Sequence, residues 1–168
     1  RQFDFESDYS ELANKFDLVI LKGAEVETEY GHVLVFGVTE ALTEEFNFAS
    51  INNVLEMVIE VSEKHGAVAV PCHPGRPRVG MFAHTEEYGI PRGVKIVEVY
   101  NGGSRENEDQ IALDNAEKLG YRGIAGSDSH IVSHVGRCAT RFENPINDMG
   151  DLVSALQAGE FEAVNLKH

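Results

Sequence analysis

Five side chains in this sequence have the chemistry of metal ligands and stand beside apolar segments. Asp128 and His130 lie two residues apart in "GIAGSDSHIVSHVG", where an apolar run ends. This stretch can be an ordinary turn, because Ser, Asp and Gly favour turns through their local backbone bonding. It can equally be a metal site, because carboxylate and imidazole groups together suit Zn²⁺, Mn²⁺ or iron.

The remaining candidate ligands occupy similar places in other segments. Glu25 ends "FDLVILKGAEVE" and His73 ends "AVAVPCH". His32 begins "HVLVFGV", but a hairpin after Glu25 would return it to the same edge. A carboxylate between imidazoles can bridge two cations, and paired cations hold the attacking and leaving oxygens of a displacement reaction.

Two arginines and an asparagine stand near these candidates. Arg76 and Arg78 follow His73 in "CHPGRPR", and Asn101 closes the run "VKIVEVYN", which also contains Glu98. The arginines are either solvated loop charges or guanidinium groups that bind phosphate oxygens, a geometry that Arg suits. The second interpretation makes Arg76, Arg78 and Asn101 candidate substrate-binding residues.

A scaffold must bring these distant segments together. Short apolar runs predict strands at "FDLVILKGAEVE", "HVLVFGV", "AVAVPCH", "VKIVEVYN", "YRGIAGSD" and "EFEAVNL". Helical spacing predicts helices that begin at Ile51, in "ENEDQIALDNAEKLG" and in "GDLVSALQAG". Alternating strands and helices favour an α/β fold with largely parallel strands, whose carboxyl ends form the binding edge.

Composition narrows the class of protein. The 168 residues are the length of one domain, with a net charge of −14 from 28 acidic and 14 basic residues. That balance argues against nucleic acid as a partner, and no apolar run is long enough to span a membrane. Cys72 and Cys138 are expected to be free thiols in a reducing cytoplasm, with metal binding a secondary alternative for Cys72. His168 is terminal and is expected to fray.

With these residues identified, the chain resembles the PHP (polymerase and histidinol phosphatase) family. The matching stretches are "GAEVETEYGHVLVFG", "AVAVPCHPGRP", "VEVYNG" and "GSDSHIVSHVGR", spread over nearly the whole chain. The resemblance implies a single PHP-like domain over 1–168, folded as an incomplete, distorted (β/α)7, TIM-like barrel with largely parallel strands.

The resemblance also implies roles for individual residues. Glu25 would bridge two cations, His32 and His73 would complete one of them, and Asp128 and His130 would serve others. The implied metal ligands are thus Glu25, His32, His73, Asp128 and His130, holding one to three divalent ions of Zn, Mn or Fe. The implied catalytic residues are Glu25, His73, Asp128 and His130.

The chain departs from the family pattern before Glu25. The family opens with a strand that ends in His-x-His and a second strand with Asp-His, and neither motif occurs in residues 1–24. The chain is expected to be either a truncated or processed piece or a natural short form. Its open side would favour self-association into a homo-oligomer.

Three functions are compatible with these residues. The first is a metal-dependent phosphoesterase that acts on a small phosphorylated substrate through metal-activated water. The second is a non-catalytic metal-binding or regulatory module, because the missing motifs remove ligands. The third is a metal-dependent hydrolase of C–N or other bonds, since metal-activated water is chemically general.

Overall fold

The computed structural model describes residues 3–167, so Arg1, Gln2 and His168, with its expected fraying, lie outside it. The strands of the described chain are β1 (Gly23–Thr28), β2 (Gly31–Phe36), β3 (Val68–Pro71), β4 (Ile96–Asn101), β5 (Arg122–Gly126), β6 (Cys138–Phe142) and β7 (Phe161–Asn165). The helices are α1 (Ser10–Phe16), α2 (Glu40–Glu45), α3 (Leu55–Lys64), α4 (Thr85–Tyr88), α5 (Glu108–Leu119) and α6 (Met149–Ala158). Short 3₁₀ turns lie at Met81–Ala83 and Val132–His134.

The strands form small sheets, most of them antiparallel. β1, β2 and β3 form one antiparallel sheet in that order, β6 and β7 form an antiparallel pair, and β4 and β5 form a parallel pair. The predicted incomplete (β/α)7, TIM-like barrel with largely parallel strands is therefore wrong. Among the described strands only one pair is parallel, and no hydrogen-bonded ladder closes the sheets into a barrel.

Strand direction explains why that prediction failed. Only Glu29 and Tyr30 separate β1 from β2, and so short a connection permits antiparallel pairing alone. Between β2 and β3 the chain passes through two helices, which is long enough for either direction. The alternation of strands and helices thus specified their order but not their direction.

The strand β6 was not predicted, because "CATRF" mixes apolar and polar residues without a clear period.

The first core lies between the β1–β2 hairpin and α3. Alternating residues of the hairpin, including Val26 and Val33, face this core and are almost completely buried. In α3, Leu55, Val58 and Ile59 recur at helical spacing and pack into the same cluster. The helix begins at Leu55 rather than at the predicted Ile51, which is exposed.

The second core lies on the opposite face of the same sheet. Leu34 and Phe36 of β2 pack there against a cluster of buried residues from β3, β4, β5 and α6, namely Val68, Val70, Ile96, Ile124, Val153 and Leu156. Side chains alternate along a strand, so His32 shares the face of Leu34 and Phe36. The candidate ligand His32 therefore sits at one end of the second core.

The segment before β1 differs from the prediction. The run "FDLVILK" belongs to no strand, and its residues Leu18 and Val19 are more than half exposed. β1 begins only at Gly23.

Among the described residues, no helix combines the length and the apolar character needed to cross a bilayer.

Candidate metal centre

The β1–β2 hairpin brings Glu25 and His32 into contact. In the register of the hairpin Glu27 lies opposite His32, and Glu25 is one pleat further along the same face. This diagonal arrangement lets long side chains meet across the two strands. His32 Nδ1 lies 2.6 Å from Glu25 Oε1.

His73 reaches the same carboxylate from the end of β3. Its Nε2 atom lies 3.6 Å from Glu25 Oε1, and its ring centroid is 5.2 Å from that of His32. The backbone of His73 has φ of 34°, a left-handed conformation that non-glycine residues rarely adopt. The side chain is 3% exposed, and its Nδ1 atom is buried without a hydrogen-bond partner. Strained and unsatisfied groups of this kind collect at functional sites.

The contact between the carboxylate and the imidazoles shapes their titration. The close contact with the imidazole of His32, and then with that of His73, holds the pKa of the Glu25 carboxyl well below its usual range. The same contact with Glu25 raises the pKa of His32. Glu25 is therefore an anion at neutral pH, which is the form that a metal ion requires.

The chemistry of this cluster fits a divalent cation. Glu25 offers a carboxylate, and His32 and His73 offer imidazole nitrogens, the donor set that zinc and related ions use in proteins. The Nδ1 atom of His32 faces the Glu25 carboxylate, is buried and makes no hydrogen bond, which agrees with a site built for another group. Of the five candidate ligands, the structure thus brings Glu25, His32 and His73 together.

Glu98, which was not among the predicted site residues, supports this cluster from β4. Its side chain is buried, and its Oε2 atom accepts the backbone N–H of His73 at 2.8 Å and Asn101 Nδ2 at 2.8 Å. Burial raises the pKa of the Glu98 carboxyl. The signal in the sequence was an acidic residue inside the apolar run "VKIVEVY", since buried carboxylates are rare unless they have partners.

Arg76 connects the first cluster with Asp128. Its Nη2 atom donates to Asn101 Oδ1 at 3.1 Å and to Asp128 Oδ2 at 3.0 Å. Its Nε atom lies 3.8 Å from Glu108 Oε2. Asp128 has φ of 46°, so a second candidate ligand also sits in the left-handed region. The Asp128 carboxylate is therefore already paired with a cationic side chain.

The other predicted site residues lie at the surface. The His130 side chain is 86% exposed, with Nδ1 at 3.0 Å from the Asp128 carbonyl oxygen. Arg78 is exposed, has φ of 69°, and its carbonyl oxygen lies 2.6 Å from His84 Nε2. The five predicted ligands thus fall into two groups, which are linked by the Glu98–Asn101–Arg76 hydrogen bonds.

A cavity of about 560 Å³ opens beside Asp128. Its lining includes Arg76, Arg78, Gly103, Arg105, His130 and His134. A Cβ atom at Gly103 would lie 3.3 Å from Arg76 Nη2 and 3.3 Å from Asp128 Oδ2, so a larger residue there would require these side chains to shift by a few tenths of an ångström. The carboxylates of Glu108 and Asp128 line the same cavity, so its three arginines leave a small excess of positive charge in a chain of net charge −14.

Comparisons with known proteins agree with the resemblance seen in the sequence. A family model described as PHP-associated matches residues 106–161, about a third of the chain, which includes Asp128 and His130. No curated protein matches the sequence. A solved structure, the crystal structure of PsfC from Pseudomonas syringae PB-5123, is similar at a TM-score of 0.63 and 25% sequence identity.

That similarity covers 88% of this chain and 60% of the PsfC chain, so this chain spans about three fifths of the length of the solved protein. The match of the PHP-associated model to residues 106–161 supports a relationship between this chain and the PHP family.

Proposed function

We propose that this chain carries a metal-dependent hydrolase site for phosphate esters of small molecules. The observation that supports it most is the meeting of Glu25, His32 and His73, with 2.6 Å and 3.6 Å between the Glu25 oxygen and the two imidazoles. A divalent cation supplies Lewis acidity at such a site, which activates water and neutralises charge that develops on phosphate.

The chain's own residues have distinct tasks in this proposal. Glu25, as a permanent anion, and the two imidazoles would hold the cation. Arg76 is positioned by Asn101 and Asp128, so its guanidinium group would meet a phosphate with little loss of side-chain freedom. Arg78 is free at the cavity mouth and would contact the same anion. Asp128, which stays paired with Arg76, and His130 would complete the catalytic set beside the bound phosphate.

The proposed partner is a small anionic substrate. The three arginines that line the cavity, Arg76, Arg78 and Arg105, would attract phosphate in a chain that otherwise repels it. A cytoplasmic location belongs to the same proposal and is supported by two free buried cysteines.

A non-catalytic metal-binding module is the second candidate, and a specific contact favours it. Arg76 occupies the Asp128 carboxylate at 3.0 Å, and His130 faces solvent. A second cation would have to displace Arg76 and draw His130 inward. If neither happens, the chain would hold one ion at Glu25, His32 and His73 and catalyse no hydrolysis.

One experiment separates these candidates. The full chain is loaded with Mn²⁺, Zn²⁺ or Co²⁺, its metal content is measured, and it is assayed on phosphate monoesters, phosphodiesters and amides. We expect turnover of a phosphate ester, and we expect His73→Ala to lower both metal affinity and turnover by at least about 100-fold. His65→Ala, a histidine that contacts Glu45 away from the site, serves as the control.

The outcomes are distinct. Bound metal without turnover of any substrate supports the non-catalytic module. Turnover of amides alone supports a hydrolase of other bonds. Unchanged metal content and rate in His73→Ala contradict the assignment of the site itself.

A further inference from the structure

A thiol lies in the candidate metal centre beside the ligands already described. Cys72 directly follows β3, and its backbone N–H donates to the carbonyl oxygen of His32 at 3.1 Å. This bond continues the β2–β3 register, in which Val33 is opposite Pro71, by one further pair. Residues directly opposite each other in neighbouring strands point to the same face. The Cys72 side chain therefore belongs to the face that carries Glu25 and His32.

The left-handed backbone at His73 brings a second side chain to that face. Successive residues of a regular strand point to opposite faces, so His73 would normally point away from Cys72. With φ of 34° at His73, its Nε2 atom instead lies 3.5 Å from Cys72 Sγ. The Glu98 carboxylate holds this conformation through the His73 N–H at 2.8 Å. The strained backbone thus serves to place two neighbouring donors in one cluster.

The donor atoms are close enough to share one ion. One ligand atom each from Glu25, Cys72 and His73 lies within 4.8 Å of the others. Cys72 is 2% exposed and His73 is 5% exposed, so water does not satisfy them. The Nδ1 atom of His32 is an independent sign that the cluster lacks a group it was built to hold, because it is buried 2.6 Å from Glu25 Oε1 and yet makes no hydrogen bond.

We propose that the Cys72 thiolate is a direct ligand of the metal ion at Glu25 and His73. The inference rests on the metal site of the proposed function and names the class of metal that it prefers. On binding, a metal–sulfur bond forms and the thiol proton leaves to solvent. Thiolate is a soft donor that suits zinc, whereas manganese prefers oxygen ligands. The site is therefore a mixed sulfur, nitrogen and oxygen centre that selects zinc over manganese.

Cobalt spectroscopy on the full chain tests this proposal without any assay of activity. Co²⁺ bound to a thiolate shows a sulfur-to-cobalt charge-transfer band in the near ultraviolet, which oxygen and nitrogen ligands do not produce. We expect the band in the wild-type chain and in Cys138→Ser, where Cys72 is the remaining cysteine. We expect its loss in Cys72→Ser. The Cys138→Ser result assigns the band even if Cys72→Ser fails to fold.

Metal affinities give the second measurement. Zinc affinity should fall by more than about 10-fold in Cys72→Ser, with manganese affinity much less affected, and neither should change in Cys138→Ser. Cobalt bound to the wild-type chain without the charge-transfer band overturns the sulfur ligand and leaves the metal site of the proposed function standing. Failure of the wild-type chain to bind any of the three metals overturns both.

Discussion

At the scale of single residues, the contact between Glu25 and His32 is the feature with the most consequences. In the absence of metal, this contact keeps the half-exposed carboxylate of Glu25 ionised and favours the protonated form of the His32 imidazole. A metal ion needs the carboxylate anion but the neutral imidazole. At the proposed site, metal binding would have to displace the proton of His32, so metal affinity should rise with pH.

The same contact predicts how the metal-free chain responds to pH. The lowered pKa of Glu25 stabilises the fold above pH 4.5, and that stabilisation is lost as pH falls towards the folded pKa. The raised pKa of His32 stabilises the fold below pH 6.5, and that stabilisation is lost as pH rises through the folded pKa. We expect the unfolding free energy in chelator to fall by up to about 1 kcal/mol from about pH 6 to about pH 9, since solvent screens the pair.

Urea unfolding at several pH values measures how the free energy of unfolding of the metal-free chain changes with pH. Glu25→Gln removes the charge that raises the pKa of His32, so its unfolding free energy should depend less on pH over the same range. A slope in Glu25→Gln as steep as that of the wild-type chain would exclude the pair as its source.

At the scale of elements, the site depends on how β4 supports the end of β3. Glu98 of β4 accepts hydrogen bonds from the His73 backbone and from Asn101, and Asn101 in turn positions Arg76. The β1–β2 hairpin is held to the loop that contains Val79 by a backbone hydrogen bond, in which the His32 N–H donates to the Val79 carbonyl at 3.0 Å. Neighbouring elements thus hold the candidate ligands His32 and His73 through their backbone N–H groups.

Glu98→Ala tests the support from β4. It leaves the buried His73 N–H and the Asn101 amide without an acceptor, so we expect a loss of about 1–3 kcal/mol in unfolding free energy. Metal affinity should fall about 10–100-fold, because His73 is no longer held in its left-handed conformation. Urea unfolding and calorimetric zinc titration measure the two effects. Glu117→Ala on the exposed side of α5 is the control, and an equal effect there would argue against a positioning role for Glu98.

Gly31→Ala tests the link between the hairpin and the loop that carries the arginines. Gly31 has φ of 101°, and a Cβ atom there would lie 2.1 Å from the Val79 carbonyl oxygen. Gly89 also has positive φ, at 84°, but a Cβ atom would meet nothing within 4 Å. Gly89→Ala therefore reports the backbone strain alone, about 1 kcal/mol. Thermal unfolding should show a clearly larger loss for Gly31→Ala, and equal losses would mean that the Val79 contact is easily relaxed.

At the scale of the whole molecule, charge and apolar surface are unevenly distributed. The chain carries a net charge of −14, while arginines gather at the cavity beside Asp128. Within the described residues, β1 is the outer strand of its sheet, and the segment before it exposes Phe16, Leu18 and Val19 by 57%, 59% and 53%. Uncovered sheet edges and apolar patches favour association.

We propose that this surface mediates association between copies of the chain. Light scattering after size-exclusion chromatography should show a mass that rises with protein concentration. Leu18→Lys should shift the equilibrium towards the monomer, because it places a charge in the apolar contact. Val132→Lys, at a position that is 90% exposed in a different loop, should leave association unchanged. A monomer at every concentration contradicts the proposal.

Local patterns in the sequence were sufficient for several parts of this protein. The helical spacing of "ENEDQIALDNAEKLG" predicted α5, and the short turn after Glu25 predicted a hairpin that returns His32 to the same edge. The residue types at Glu25, His32 and His73 predicted ligand chemistry, and the structure brings these three together. Periodicity and side-chain chemistry are properties of neighbouring residues, so a single sequence contains them.

Tertiary structure decided what depends on residues distant in sequence. The antiparallel pairing of β2 with β3, the support of His73 by Glu98 and the pairing of Arg76 with Asp128 each join segments at least 25 residues apart. The presence of Cys72 and His73 in one cluster depends on a left-handed backbone at His73, which no local pattern indicates. Amino-acid order alone determined which groups are available for chemistry, and long-range packing determined which of them meet.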